Sequence, residues 1–403
     1  MATMLTRAAV ACVAALATVL VLAGCSSLPR NPVPPELARE ATIPGMPDIR
    51  AQAGRPDPAM VQDYLRSMQQ ESAGDFPLGA DGLVSHPHLA LSGGGVNGAF
   101  GAGFLKGWTA SGTRPVFKIV TGVSTGALMA PFAFLGPQYD EALQRFYTTT
   151  TTADVFTERS RMMALMRGDA LARTAPLAAL LEQYVDAPLL EEVARAHRQG
   201  RRLYVGTVDL DTRSFTVWNM GRIAEYGGPQ SLALFRKVML ASSSVPIAFP
   251  PVLFEVEAGG RRYDEMHVDG FVWANVFLHA GIFEPAVLHR QAHAQPGRED
   301  IYVIHNGQLS APPASTPRSL RAIAVRSIDI SGRAGIVGDL FREYAYARRH
   351  DARFHWTTIG EGVALPDLTA FRPSQMAVLY DAGYRAALSG QAWRTSPPGL
   401  PAE

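Results

Sequence analysis

The stretch Leu89-Ala90-Leu91-Ser92-Gly93-Gly94-Gly95-Val96-Asn97-Gly98-Ala99-Phe100, followed closely by Lys118-Ile119-Val120-Thr121-Gly122-Val123-Ser124-Thr125-Gly126-Ala127, decides how this chain folds. Each segment is an apolar run that ends on glycine and resumes as a helical pattern. A short apolar run bounded by glycine reads as a buried strand, and a helix directly after it reads as one half of an α/β unit. Two such units in succession point to a sheet layered by helices.

Outward from these motifs the alternation continues. Further strands are expected at His88 to Leu91, Phe117 to Thr121, Arg202 to Val208, Phe215 to Asn219 and Ile301 to His305. Helices are expected at Asn97 to Ala110, Thr125 to Phe134, Leu177 to Tyr184, Ser231 to Ala241, Gly338 to His350 and Ser374 to Ala387. No internal repeat interrupts the pattern. The α/β body is assigned to residues 85–390, with 391–403 as a C-terminal tail. Prolines at 29, 32, 34, 35, 44, 47, 56 and 58 mark residues 25–84 as a tether with a short helix over Ala59 to Gln70.

Apolar residues make up 47% of the 403, and the formal net charge is +1, so the chain supports a large core and offers no basic field for nucleic acid. The glycine run can aim unpaired N–H groups at an anion. A phosphate loop of the ATPase type needs Lys then Ser or Thr after its last glycine, where Ala99 and Phe100 stand. A dinucleotide fingerprint needs an acidic residue on the next strand, and Phe117 to Thr121 has none. An oxyanion hole or a plain tight turn remains, and no cofactor or metal is expected.

The second motif is Gly-x-Ser-x-Gly between a strand and a helix, the pattern of a nucleophile elbow. Gly122 and Gly126 allow a sharp turn beside Ser124, and the following helix N-terminus favours a developing alkoxide. A third element, Tyr263-Asp264-Glu265-Met266-His267-Val268-Asp269-Gly270-Phe271, lies about 145 residues after the serine. Alone, Asp269-Gly270 reads as a turn. With the other two motifs it becomes a candidate base.

These three elements, in this order, resemble the patatin-like phospholipase family over roughly His88 to Leu388. Supporting stretches are Val208-Asp209-Leu210-Asp211-Thr212, Ala241-Ser242-Ser243-Ser244-Val245-Pro246 with Phe249-Pro250-Pro251, and Met376, Leu379, Tyr380 and Gly383. The resemblance implies a three-layer sandwich with a mainly parallel central sheet. It also implies a serine lipid acyl hydrolase of phospholipase A or lysophospholipase type. Ser124 would be the nucleophile and Asp269 the base, and Gly93, Gly94, Gly95 and Gly98 the oxyanion loop. Two departures stand out: the family often has Arg where Asn97 stands, and a small residue where Phe271 stands. Asn97 removes a positive charge beside the loop, and Phe271 is expected to reshape the pocket. Asp209 and Asp211 match the family's structural turn.

At the N-terminus, Arg7 precedes an apolar run from Ala8 to about Leu22, shorter than the roughly 20 residues that span a bilayer comfortably. Leu22-Ala23-Gly24-Cys25 resembles the lipobox of bacterial lipoproteins. The resemblance implies a signal peptide over 1–24 and a diacylglyceryl, N-acylated Cys25. Two lipid signals give stable anchoring, here to the cell envelope, with Ser26 favouring the outer membrane. The alternative is an uncleaved N-terminal anchor. Cys12 is the only other cysteine, so the body has no thiol for a disulfide.

Two rival readings remain open at this stage. His279, His305, His350 and His355 follow Asp269, which leaves room for a general carboxylesterase with a Ser-Asp-His triad. A lipid-binding lipoprotein that has lost the chemistry is the non-enzymatic alternative. His267 lies on the same presumed strand face as Asp269 and is a packed or a pocket-lining residue. Thr148 to Thr152 and the arginines at 159, 161 and 167 face either solvent or lipid head groups.

Overall fold

The computed structural model describes residues 28–159, 169–291, 297–311, 313–365 and 370–401. The expected signal peptide, Cys25, Arg161 and Arg167 therefore lie outside the described residues.

A nine-stranded mixed sheet organises the protein. In chain order its strands are β1 (Arg50–Gln52), β2 (Val84–Leu91), β3 (Ile119–Gly122), β4 (Arg202–Asp209), β5 (Ser214–Asn219), β6 (Val252–Ala258), β7 (Arg261–Asp269), β8 (Gly297–His305) and β9 (Arg353–Thr358). The spatial order is β1-β5-β4-β3-β2-β8-β9, with β7 also on β4 and β6 on β7. Strands β4, β3, β2, β8 and β9 run parallel to one another, and the remaining pairings are antiparallel. The parallel strands are covered on both faces, which is why they read as continuous apolar runs.

Alternate residues feed two separate cores. Leu89, Leu91, Val120, Leu203, Val205 and Ile304 pack under helices α2 (Gly98–Ala110), α3 (Thr125–Leu135), α4 (Asp140–Thr149), α6 (Ala187–Arg198), α8 (Gly228–Ser242) and α11 (Pro373–Leu388). Between α4 and α6 lies α5 (Ala175–Tyr184), and α7 (Met220–Tyr226) precedes α8. On the opposite face Ala90, Ile119, Tyr204, Ile301 and Val303 meet α1 (Pro58–Gln69) and α10 (Leu320–His350), with α9 (Pro285–Gln291) beside them. Helix, sheet and helix thus make the three layers expected.

The backbones of α2 and α11 touch. A Cβ on Gly103 would lie 1.9 Å from the Tyr380 carbonyl oxygen, and one on Gly383 would lie 2.0 Å from that of Phe100. This close packing holds the start of α2, and with it the glycine run, against the body.

Residues 25–84 were expected to form a tether, but the described part is packed on the body. Arg30 pairs with Asp211 and Asp264, Thr42 bridges to Glu257, and Ile43, Met46 and Ile49 are buried in the larger core. The cause is β1, which adds to the free edge of β5 and satisfies its backbone groups. The prolines fit because they stand where no backbone donor is needed: Pro35, Pro44 and Pro47 in turns, and Pro58 at the start of α1. The tail over 391–403 is also corrected. Trp393 packs against Phe104, Trp108 and Tyr302, and the Trp356 indole N–H donates to the Ser396 carbonyl. The helix expected from Gly338 begins eighteen residues earlier, at Leu320.

Candidate active site

Strand β3 ends at Gly122, opposite Val205 of β4. Ser124 follows at φ 56° and ψ −126°, a conformation that L-residues avoid, and α3 starts at the next residue. The turn is sharp enough only because two side chains are missing. A Cβ on Gly126 would sit 2.1 Å from the Leu91 carbonyl oxygen, and one on Gly122 would sit 2.5 Å from that of Gly126. The Ser124 N–H donates to the Ser242 hydroxyl at 3.0 Å, which in turn donates to the Gly206 carbonyl at 2.7 Å. The elbow is thereby tied to both β4 and the end of α8.

Where β3 turns away, the edge of β4 beyond Val205 is left free. Strand β7 takes it, with Asp269 opposite Thr207 and Val268 opposite Val208. This brings Asp269 beside the elbow. Its N–H donates to the Ser244 carbonyl at 3.0 Å, and Oδ1 accepts the Phe271 N–H at 3.0 Å. Gly270 lets the chain turn against β4, since a Cβ there would lie 2.6 Å from the Gly206 carbonyl oxygen. Burial pushes the Asp269 carboxyl up to about 7, against the opposing pull of the Phe271 N–H and the Ser124 hydroxyl. Oδ2 closes no hydrogen bond at full geometry, so one carboxylate oxygen remains available on the serine side.

The glycine run lies against the same serine. A Cβ on Gly93 would come within 3.1 Å of the Ser124 Cβ. Gly94 adopts φ 150°, and a Cβ there would strike the Asn306 carbonyl oxygen at 2.1 Å. Among the described residues, the N–H groups of Gly93, Gly94 and Gly95 find no protein acceptor. Gly98 differs from the expectation. Its N–H is already spent on the carbonyls of Gly95 and Val96, and its missing side chain admits Thr125 Oγ1 and Tyr147. It is a packing residue and not a free donor.

Sequence reasoning assigned no role to Asn306, which organises this loop. Its Oδ1 accepts the Gly101 N–H, its amide donates to the Ser92 carbonyl, and its N–H donates to the Ser92 hydroxyl. Its neighbours His305 and Gly307 read as a strand end and a turn, so no local pattern marked it. Ser242 and Ser244 carry no local mark of their role either, because their contacts to Ser124 and Asp269 depend on how α8 docks.

Beside Ser124 opens a cavity of about 80 Å³ lined by Gly95, Ser243 and a largely apolar wall that includes Leu128, Phe146, Val245, Phe249 and Met376. Thr150 of the threonine run also lines it. Thr151 caps the short turn Thr152–Val155, and Arg159 pairs with Asp169. Phe271 does not line this cavity. It packs on the opposite side of the sheet with the cluster containing Val208, Phe215 and Phe277. Asn97 is buried and its Oδ1 has no partner.

The histidines go elsewhere. His279 faces Glu299, His350 faces Glu284, His355 stacks on Tyr302, and His305 Nδ1 meets the Ser92 hydroxyl at 3.1 Å. His267 is fully buried between Thr207 and Glu265. Among the described residues none of them hydrogen-bonds to Ser124 or Asp269. Asp209 accepts the Asp211 N–H and the Thr212 hydroxyl, a closed turn.

Several solved structures are similar to this chain, two of them as follows. VipD from Legionella pneumophila is 14% identical with a TM-score of 0.42, the match covering 80% of this chain and 71% of that one. Human GIVD cytosolic phospholipase A2 is 12% identical with a TM-score of 0.38, covering 84% of this chain and 64% of that one. No curated protein matches by sequence. Residues 89–282, which run from the strand before the glycine loop past Asp269, match the family described as patatin-like phospholipase, so the matched segment holds both Ser124 and Asp269.

Proposed function

We propose that this protein is a serine acyl hydrolase of lipid esters, working through a Ser124–Asp269 dyad. One observation carries the reading: Asp269 occupies the β4 edge vacated by β3, beside the Ser124 elbow, with its carboxyl pushed up to about 7 by burial. A carboxylate with that pKa is basic enough to take a serine proton near neutrality, which an ordinary exposed one is not. Ser124 attacks the acyl carbon, and its proton passes to Asp269. The N–H groups of Gly94 and Gly95 receive the oxyanion, with Gly93 giving the substrate room beside the serine. The proton then goes to the leaving alcohol, and water repeats the sequence to release the acid.

The apolar wall beside Ser124 suits an acyl chain. Anchoring through a lipidated Cys25, in the outer membrane, would hold the site next to its substrate. We further propose phospholipids or lysophospholipids as that substrate. The test is mass-spectrometric analysis of products from defined phospholipids, lysophospholipids and short acyl esters, alongside fluorophosphonate labelling of the wild type and Ser124→Ala. Labelling of the wild type alone supports the serine mechanism. Labelling with release from short esters only removes the lipid assignment, and folded wild type that does not label removes the enzyme.

A further inference from the structure

Behind the site, on the other face of the sheet, three side chains meet in a wholly buried cluster. His88 of β2, His279 and Glu299 of β8 are 0%, 6% and 6% exposed. The His88 Nδ1 lies 3.3 Å from Glu299 Oε2, and the His279 Nε2 lies 4.0 Å from the same oxygen. Neither ring nitrogen of His88 has a hydrogen-bond partner, nor does the His279 Nε2. Buried polar atoms left unpaired cost roughly 1–3 kcal/mol each, so the His88 Nε2 and the His279 Nε2, which have no partner at hydrogen-bond distance, require an explanation.

We propose that His88, His279 and Glu299 bind a divalent transition-metal ion of the zinc type. One ligand atom from each residue lies within 4.8 Å of the others. Two ligands at the usual zinc distances are about 3.3 Å apart in a tetrahedral site, so the His88–Glu299 spacing already fits and His279 needs only a small inward shift. Imidazole and carboxylate are the donors such an ion prefers. The carboxylate is also oriented from behind, since the Tyr346 hydroxyl donates to Glu299 Oε1 at 2.9 Å.

Two other groups of comparable composition lack these features. In Glu71–His86–His289 the Lys118 ammonium sits 2.5 Å from Glu71, filling the place of a cation. In Asp209–Glu265–His267 the histidine has partners at both nitrogens and Arg50 pairs with the glutamate. Among the described residues, the His88 cluster combines buried, unpartnered nitrogens with a carboxylate that no lysine or arginine pairs. The ion would tie β2, which leads directly into the glycine loop, to β8 and to the segment following Asp269. It is a clamp behind the site and takes no part in acyl transfer.

The experiment is titration of the metal-stripped full-length chain with cobalt(II) and, separately, zinc(II), followed by visible d–d absorption and by Tm. The expected result is one equivalent of cobalt with the intense band of a tetrahedral ion. Zinc at about a hundredfold over its Kd should raise Tm by roughly 3 °C. His279→Gln and Glu299→Gln should each lose the band, whereas His289→Gln, in the neighbouring group, should keep it. No band and no Tm shift in the wild type overturns the proposal, as does a band that survives His279→Gln. Should the variants fail to fold, anomalous diffraction from zinc-soaked wild-type crystals decides: a peak between His88 and His279 supports the site, and a peak elsewhere or none removes it.

Discussion

Asp269 stands directly opposite Thr207 on β4, two residues past Val205, where Gly122 ends the pairing of β3 with that strand. One strand edge therefore serves two partners in turn. The elbow leaves it and the candidate base arrives, so the meeting of Ser124 with Asp269 follows from strand register.

The raised carboxyl sets a pH dependence. Asp269 must be ionised to accept a proton, so kcat/KM should rise with pH and level off above about 7. Stability runs the other way. A carboxyl raised above its unfolded value favours the fold at low pH, and that contribution is lost as pH climbs through about 7. Asp269→Asn should therefore abolish turnover yet lose less Tm than the wild type between pH 5 and pH 9. A pH–rate profile with no limb near 7, or equal Tm losses, contradicts the assignment.

Ser124 carries backbone strain that its hydroxyl does not require. Ser124→Ala should lose labelling and at least about a thousandfold in rate with little change in Tm. Ser124→Gly should be equally inactive but more stable, by about 1 kcal/mol, because glycine tolerates φ 56°. Urea unfolding of the two variants side by side measures the difference. Identical midpoints would mean the turn is unstrained.

Gly93→Ala probes space beside the serine. The new methyl would sit 3.1 Å from the Ser124 Cβ, close enough to obstruct an incoming ester while the neighbouring side chain gives slightly. A fall in kcat/KM of about a hundredfold is expected, with a stability change under about 1 kcal/mol. Unchanged kinetics would place the ester on another side of Ser124.

Asn306→Ala should loosen the glycine loop from a distance. It leaves the Gly101 N–H and the Ser92 carbonyl without their partner, a cost of about 1–3 kcal/mol in Tm or urea midpoint. Turnover should fall about tenfold or more while fluorophosphonate labelling persists slowly. A variant destabilised by that amount but fully active would show that the loop holds its shape without Asn306.

Much of the fold was legible in short stretches. The runs at His88 to Leu91 and Arg202 to Val208 and the elbow around Ser124 are all local patterns in which neighbouring residues dictate neighbouring geometry. Strands β6 and β7 were harder to read, because they form a polar hairpin in which β6 alternates exposed and buried positions, β7 is exposed at its start and buried over its last three residues, and each pairs mainly with the other. The resemblance groups Gly98 with the loop glycines, yet it sits at a helix start where its N–H is internally bonded and Tyr147 presses close. The tether was read from its prolines, but the packing of Ile43, Met46 and Ile49 against distant elements has no signature in those residues.

By itself the sequence determined the α/β class, the sharp turn at Ser124 and the glycine run before it, since steric limits on φ and hydrophobic period act over a few residues. The tertiary structure alone decided how Asp269 is brought beside the serine, which histidines stay away from it, where Phe271 points and that the proline-rich segment lies on the body. Those outcomes depend on register and packing between segments up to about 145 residues apart, and burial, which gives Asp269 its basicity, exists only once those segments have closed around it.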